Sequence, residues 1–253
     1  MERSDKKEQL VSCILDLGEI LLKAGAEVSR IEDTIIRIGI AYGFRKVDVF
    51  TITSSIVLTV RTAENEIITQ TRRISGVLTD MNKIEKGNAL SRKICQNPME
   101  TEELREAIAE IRCQKVYPEA VMLFAYGLIS ASFSVFFGGS ALDGAASFVI
   151  GILLRVIMRF GQKIHMQNII LTIICSAFVG FFAKLFGYAL TGASVDMIVI
   201  GNIMLLIPGI ALVTSLRDMI YGDTISGLLG MAEALLRAAA IALGFGLVLF
   251  RIP

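Results

Sequence analysis

Histidine is almost missing from this sequence, and its four cysteines stand apart. The single histidine, His165, lies between two apolar runs in the second half, so the polar first half holds no His-based catalytic pair and no HExxH metal motif. Cys13, Cys95, Cys113 and Cys175 show no CxxC spacing, and one of them falls within an apolar run. That pattern argues against a zinc site or a disulfide framework and fits reduced thiols. GxSxG, the P-loop and the glycine-rich dinucleotide fingerprint are also missing, so the sequence predicts no cofactor, no metal and no enzymatic chemistry. No basic block disturbs a balance of 25 Lys and Arg against 24 Asp and Glu, which excludes a nucleic-acid-binding face. The opening MERSDKKEQL carries charge with no apolar core behind it, so no cleavable signal peptide is expected.

What the chain does have is a sharp division at Pro118. Residues 1–117 carry 18 basic and 18 acidic side chains, whereas 118–253 carry only 7 and 6. The second half contains apolar runs at 119–137, 145–160, 168–189, 195–215 and 225–250, each near the ~20 residues that cross a bilayer core as a helix. Lipid offers the backbone no hydrogen-bond partners, so such runs are expected to be helical. The expected fold is an α+β cytoplasmic N-terminal domain, 1–117, followed by an all-α polytopic membrane domain of five transmembrane helices, 118–253. With 1–117 inside, the connection between spans two and three, with Arg155, Arg159, Lys163 and His165 on or near its helix ends, is also inside, as the positive-inside rule requires. The expectation is a multi-pass protein of the inner, cytoplasmic membrane, with its N-terminal domain in the cytoplasm and its C-terminus outside.

In the first half, periodic apolar positions predict helices over 8–24 and 27–42, ended by Gly25 and Gly43. The β-branched run VDVFTITSSIVLTV at 47–60 predicts two strands or one bent strand, and EIITQTRR at 66–73 a further one after a TAEN turn. Helices are expected again over 76–95, beginning after Ser75, and over 100–115. The Ser and Thr residues at 51, 53, 54, 55 and 59 suit either a polar pocket or simple strand alternation. Arg72 and Arg73 suit an anion, a membrane surface or a solvated strand end.

Three features mark the second half. Pro208-Gly209 lies inside the fourth apolar run, where proline removes a backbone donor and Gly209 eases a change of direction, so the helix is expected to kink or break. Interrupted membrane helices expose backbone groups that can hold a substrate or ion. Asn202 precedes this break, and Thr214, Ser215, Arg217, Asp218, Asp223 and Thr224 follow it. The polar cluster can meet an amino group and a carboxylate together, or it can form an Arg217–Asp218–Asp223 network that fixes a turn. Glu233 and Arg237, four residues apart inside the last run, can pair on one helical face or take part in proton movement. Arg155 either pairs with Asp218 or Glu233, or snorkels to the interface beside Arg159. Small residues including Gly127, Ser130, Ser134, Gly144, Gly180, Gly201 and Gly230 let helices pack closely.

The segments LLKAGAEVSRIEDTIIRIGIAYGF at 21–44, TQTRR at 69–73 and LIPGIALVTSLRDMIYGDTISGLLGMAEALL at 206–236 together resemble the threonine/serine exporter family. The likeness is strongest to its shorter, split members with a soluble domain and five spans. Its most specific positions are Gly25-Ala26-Glu27, Arg30, Glu32, Pro208-Gly209, Arg217-Asp218 and Gly222-Asp223. Full-length members carry a second membrane portion beyond these elements, so the resemblance implies a separate small multi-span membrane subunit as partner and an oligomeric assembly in the bilayer. It also implies secondary export, of threonine or serine first and of a dicarboxylate such as succinate second. In that reading Pro208 and Gly209 open the helix, and Asn202 with the exposed backbone binds substrate. Arg217 engages a carboxylate, while Asp218, Asp223 or Glu233, the last beside Arg237, takes an amino group or a proton. The rival readings are a membrane-anchored enzyme or a sensor acting through the soluble domain.

Overall fold

The computed structural model describes residues 2–76, 78–113 and 117–249, with side chains for 5–76, 78–113 and 117–248. Among these residues the chain is mostly helical with one small sheet. Four helices and three strands come first: α1 (Glu2–Lys23), α2 (Val28–Ala41), β1 (Lys46–Ile52), β2 (Ser55–Arg61), β3 (Ile67–Arg73), α3 (Met81–Gln96) and α4 (Thr101–Arg112). Six helices follow: α5 (Glu119–Phe136), α6 (Ala141–Lys163), α7 (Asn168–Ala189), α8 (Val195–Ile203), α9 (Gly209–Tyr221) and α10 (Thr224–Leu249). They form two compact units, one of Met1–Lys115 with Ile210–Ala232 and one of Val116–Gly209 with Glu233–Pro253.

In the first unit the apolar stripes of α1 and α2 cover one face of the sheet. Val11, Ile14, Leu17 and Leu21 of α1 and Ile31, Ile35 and Ile38 of α2 are buried at helical spacing, in one core with Ile56, Leu58 and Val60 of β2. Each large side chain removed from water there contributes ~1.5–3 kcal/mol. Gly18 makes room for α2, since a Cβ on it would lie 2.8 Å from Ile35 Cδ1. α1 stops at Gly25, which takes φ +82° and lets Gly25 N–H and Ala26 N–H reach back to Leu22 O (3.0 Å) and Leu21 O (3.1 Å).

The strands form an antiparallel meander in the order β1-β2-β3, with Val49 opposite Leu58 and Leu58 opposite Gln70. The run at 47–60 is thus two strands. Arg72 ties β3 to α1 through Asp16 (3.2 Å) and Ser12 (2.6 Å), so it is not a free strand end. The helix expected after Ser75 starts six residues later, at Met81, where Asp80 caps it by accepting the Lys83 N–H (3.1 Å). The reason is non-local: Leu78 N–H and Asp80 N–H donate to Lys23 O (2.9 Å) and Ala24 O (3.0 Å), which ties this stretch to the end of α1.

The second unit is built from α5 to α8 with the later part of α10. α5 and α6 are antiparallel neighbours that meet through small residues; a Cβ on Gly151 would lie 2.5 Å from Ser130 Oγ and 2.7 Å from Tyr126 O. Asp143 holds the start of α6 in place. Its carboxylate accepts the Ser140 N–H (2.7 Å), the Ser140 hydroxyl (2.8 Å) and, across to the start of α8, the Ser194 N–H (2.6 Å).

Among the described residues four helices, α5, α6, α7 and α10, are long and apolar enough to cross a membrane. The five expected spans are therefore four continuous helices and one interrupted run. Residues 195–215 divide into α8, nine residues long and so about 13 Å, and α9, with a turn between them. Ile207 N–H bonds Ile203 O (3.0 Å), but Pro208 has no N–H to continue the ladder, and Gly209 N–H turns to Ile207 O (2.9 Å). Of the two readings of Arg155, pairing with Asp218 or Glu233 does not occur; Arg155 and Arg159 both pair with Glu119. Arg155 grips Glu119 at the start of α5 through two contacts (3.2 and 3.3 Å) and lies over the Tyr126 ring at 5.3 Å.

Replacing Asp143 with alanine leaves two backbone donors unmet, an expected loss of roughly 2–4 kcal/mol. In a background with Cys175 as the sole cysteine, the midpoint at which heating exposes this buried thiol drops for Asp143→Ala and drops less for Asp143→Asn, which keeps an acceptor. An unchanged midpoint would show that this clamp does not hold the unit together.

Candidate functional site

The start of α2 needs outside help. Its first N–H groups have no intrahelical acceptor, and the residue in the capping position, Glu27, makes no side-chain capping bond. The acceptor comes from 190 residues further along: Asp218 of α9 takes the buried Val28 N–H at 3.2 Å. Beside it, the Arg217 guanidinium donates to the Glu27 carboxylate. Two more links lie close by. Thr51 N–H of β1 donates to Glu32 Oε1 of α2 (2.7 Å), and the Ser226 hydroxyl of α10 donates to Thr51 O (3.3 Å).

α9 and α10 reach this position as a tight hairpin. Gly222 closes α9 at φ +101°, and Asp223 N–H returns to Asp218 O (2.9 Å). Asp223 O then accepts the Gly227 N–H (2.9 Å) at the start of α10. Ser215 of α9 packs where α10 has no side chains, since a Cβ on Gly227 would fall 2.6 Å from Ser215 O. The sequence GDTISGLLG thus supplies the turn, the acid and the two gaps that set Asp218 against α2.

Four carboxylates, Glu27, Glu32, Asp218 and Asp223, share this junction with one guanidinium, Arg217. Burial pushes the Asp218 carboxyl up to about 6; the charges of Asp223 and Glu27 push the same way, against the Val28 N–H and Arg217. Burial also raises Glu32, opposed by the Thr51 N–H and reinforced by Asp223. Such a site takes up a proton near neutral pH without losing its hydrogen bonds, because a protonated carboxyl keeps an oxygen for Val28. Among the described residues no group of three or more His, Cys, Asp or Glu side chains is arranged to hold a metal ion.

Of the eight residues singled out beforehand, the structure brings Arg217, Asp218 and Asp223 together with Glu27 and Glu32. The other five, Asn202, Pro208, Gly209, Glu233 and Arg237, fall in the second unit. Asn202 is fully buried in the last turn of α8 with Oδ1 unmet. Pro208 and Gly209 form the break. Glu233 is exposed on α10 and Arg237 partly so, and no ion pair joins them. Val28, Thr51 and Ser226 were not identified as a linked set. Val28 and Thr51 contribute backbone atoms, which leave no mark in a sequence; Ser226, in a run of turn-forming residues, leaves only a weak one.

Asp218 carries the pH dependence of this junction. An acid whose pKa is higher when docked than its ordinary 3.8 favours docking most fully below pH 4 and loses that contribution as pH rises through about 6. Amide exchange at Val28 is expected to quicken between pH 5 and 7 beyond the intrinsic pH trend. Asp218→Asn, which keeps an acceptor without the charge, is expected to reduce this excess to what the raised Glu32 contributes. Equal excess in both proteins would remove Asp218 as the titrating group.

The sequence model of the family described as "Putative threonine/serine exporter" matches residues 12–251. A curated "Probable threonine/serine exporter" of Mycobacterium tuberculosis (strain ATCC 25618 / H37Rv) is 23% identical over 244 residues, covering 93% of this chain but 45% of its own length. The chain thus spans about half the length of that relative. No solved structure matches. With four apolar helices of spanning length and a family match over nearly its whole length, this is a multi-pass membrane protein that belongs to the threonine/serine exporter family.

Proposed function

We propose that this chain is one component of a secondary exporter that moves threonine and serine out across the cytoplasmic membrane, driven by the proton gradient. The observation that carries the reading is the family match over residues 12–251. In this reading, as in the split members that the chain resembles, a separate small multi-span subunit shares the transport path. Glu233 supports this. It is exposed on α10, a helix of spanning length, and a charge at such a position needs protein or water against it.

In this reading residues 1–117 lie in the cytoplasm, residues 118–253 form the membrane part, and the C-terminus is outside. The interruption at Pro208 and Gly209 frees backbone groups for substrate, and Asn202 adds an amide beside them. Arg217 exchanges Glu27 for the substrate carboxylate. Asp218, with its pKa near neutrality, carries the proton, while Asp223, Glu233 and Arg237 set the surrounding charge. The chain is a carrier, not an enzyme.

Proteoliposomes loaded with labelled threonine, serine or succinate test this, with and without the candidate partner and under an imposed pH gradient. Threonine and serine are expected to leave only when both proteins and the gradient are present. Pro208→Ala and Arg217→Ala, inserted normally, are expected to slow efflux by at least about tenfold, as misplacement of a bound substrate does. Efflux of succinate alone would move the assignment to dicarboxylates. Its complete absence from a correctly inserted complex would end the exporter reading.

A further inference from the structure

The end of α6 carries more positive charge than its surroundings balance. Arg155, Arg159 and Lys163 fall in its last three turns, and the sequence holds no Asp or Glu between Asp143 and Asp196. Asp143 lies at the opposite end of α6, where Ser140 and Ser194 take it up. That leaves Glu119, in the first turn of α5. Among the described residues Glu119 is the only carboxylate in ion-pair range of Arg155 and Arg159, and Lys163 pairs with none. The C-terminus of α6 adds about half a negative charge. Three cations thus stand against one carboxylate and a fraction.

The two guanidiniums are not equivalent. The Arg155 side chain is 13% exposed, holds both Glu119 oxygens and lies over the Tyr126 ring. That of Arg159 is 63% exposed and reaches Glu119 only as an ion pair at 3.4 Å. It makes no hydrogen bond among the described residues, so its N–H donors are open to a further acceptor. Lys163 stands beside it. Val149, Ile152, Val156, Arg159 and Lys163 follow at intervals of three and four along α6, which places them on one face. All but the half-buried Ile152 and Arg155's neighbours on the inner side are exposed there, whereas Ile150, Leu154 and Gly161 are buried. Because α6 is long and apolar enough to span a membrane, acyl chains are what its exposed face meets. From Val149 to Arg159 is about 15 Å along the helix, half of the ~30 Å bilayer core and so the depth of one leaflet. The stripe is apolar over that depth and cationic at its end, which is the pattern of a single anionic amphiphile. A guanidinium fork can hold a phosphate through two N–H bonds, and a lysine adds a point charge.

We propose that Arg159 and Lys163 bind the phosphate of an anionic phospholipid whose acyl chain lies along Val149, Ile152 and Val156. Glu119 and Arg155 fix Arg159 at the α5–α6 junction and do not touch the lipid. An anionic headgroup is favoured over a choline headgroup because the surplus charge is positive, and choline brings a cation of its own. The site is separate from the Asp218 junction, and its occupancy does not depend on which solute is exported.

The test uses the full chain purified in detergent and native mass spectrometry, with phosphatidylglycerol or phosphatidylcholine of the same acyl chains added. The wild-type protein is expected to retain one phosphatidylglycerol at least about fivefold more tightly than phosphatidylcholine. Arg159→Gln and Lys163→Gln are each expected to weaken that retention about fivefold, the usual effect of one basic residue facing anionic lipid. Lys184→Gln, sixteen residues into α7 and so ~24 Å from its start, is expected to leave it unchanged. Glycerol phosphate, a headgroup without chains, is expected not to compete. Equal retention of the two lipids, or equal losses in all three variants, would reveal a general charge effect and overturn the proposal. Displacement by glycerol phosphate would assign the cations to a soluble phosphate and overturn it too. Should a variant fail to fold, the two lipids and glycerol phosphate competing on the wild-type protein decide alone. No arm measures flux, so failure here and failure of threonine efflux are told apart.

Discussion

The bond from the Val28 N–H to Asp218 is the constraint on which the first unit depends. α2 begins with donors that its own sequence does not satisfy, and burial denies them water. Asp218 is the acceptor. To bring it there the chain must place a helical hairpin, α9 with the start of α10, against a domain that closed in sequence more than 90 residues earlier. The fourth apolar run therefore cannot continue as one helix. Pro208 removes the backbone donor where the run divides, and α8 is left with nine residues and an end inside apolar surroundings.

The two units treat buried polarity in opposite ways. In the first, Glu32, Asp218, Ser226 and the Thr51 backbone are linked by donors and acceptors that meet, although the buried Thr51 Oγ1 has no partner; the excess of negative charge shows as raised pKa values. In the second, Ser130, Ser134, Ser147 and Asn202 each keep a buried oxygen without a partner among the described residues, although Ser176 of α7 bonds to its own helix.

Much of the architecture was legible in the sequence because it is local. Gly25 and Gly43 end the first two helices where expected, and the β-branched run with its TAEN turn gives the meander. Misreadings arose where distant atoms decide. The stretch before Asp80 is helical by pattern, yet it bonds to Lys23 and Ala24 at the end of α1. Arg155 has several carboxylates to choose from by sequence, and only the packing of α5 beside α6 selects Glu119. At the candidate site, Arg217, Asp218 and Asp223 stood out as polar residues after an apolar run. Val28, which donates to Asp218, and Thr51, which links Glu32 to Ser226, act through the backbone, which every residue has, so no side-chain pattern marked them.

The first unit is discontinuous in sequence, and this bears on the order of biosynthesis. Residues 210–232 leave the ribosome long after β1 to β3 and α1 to α4, so the N-terminal fold waits with the start of α2 uncapped while α5, α6 and α7 are being handed to the membrane. Synthesis of Asp218 comes only after that insertion has begun. The first unit is thus finished by a segment that arrives only once α5, α6 and α7 have been made.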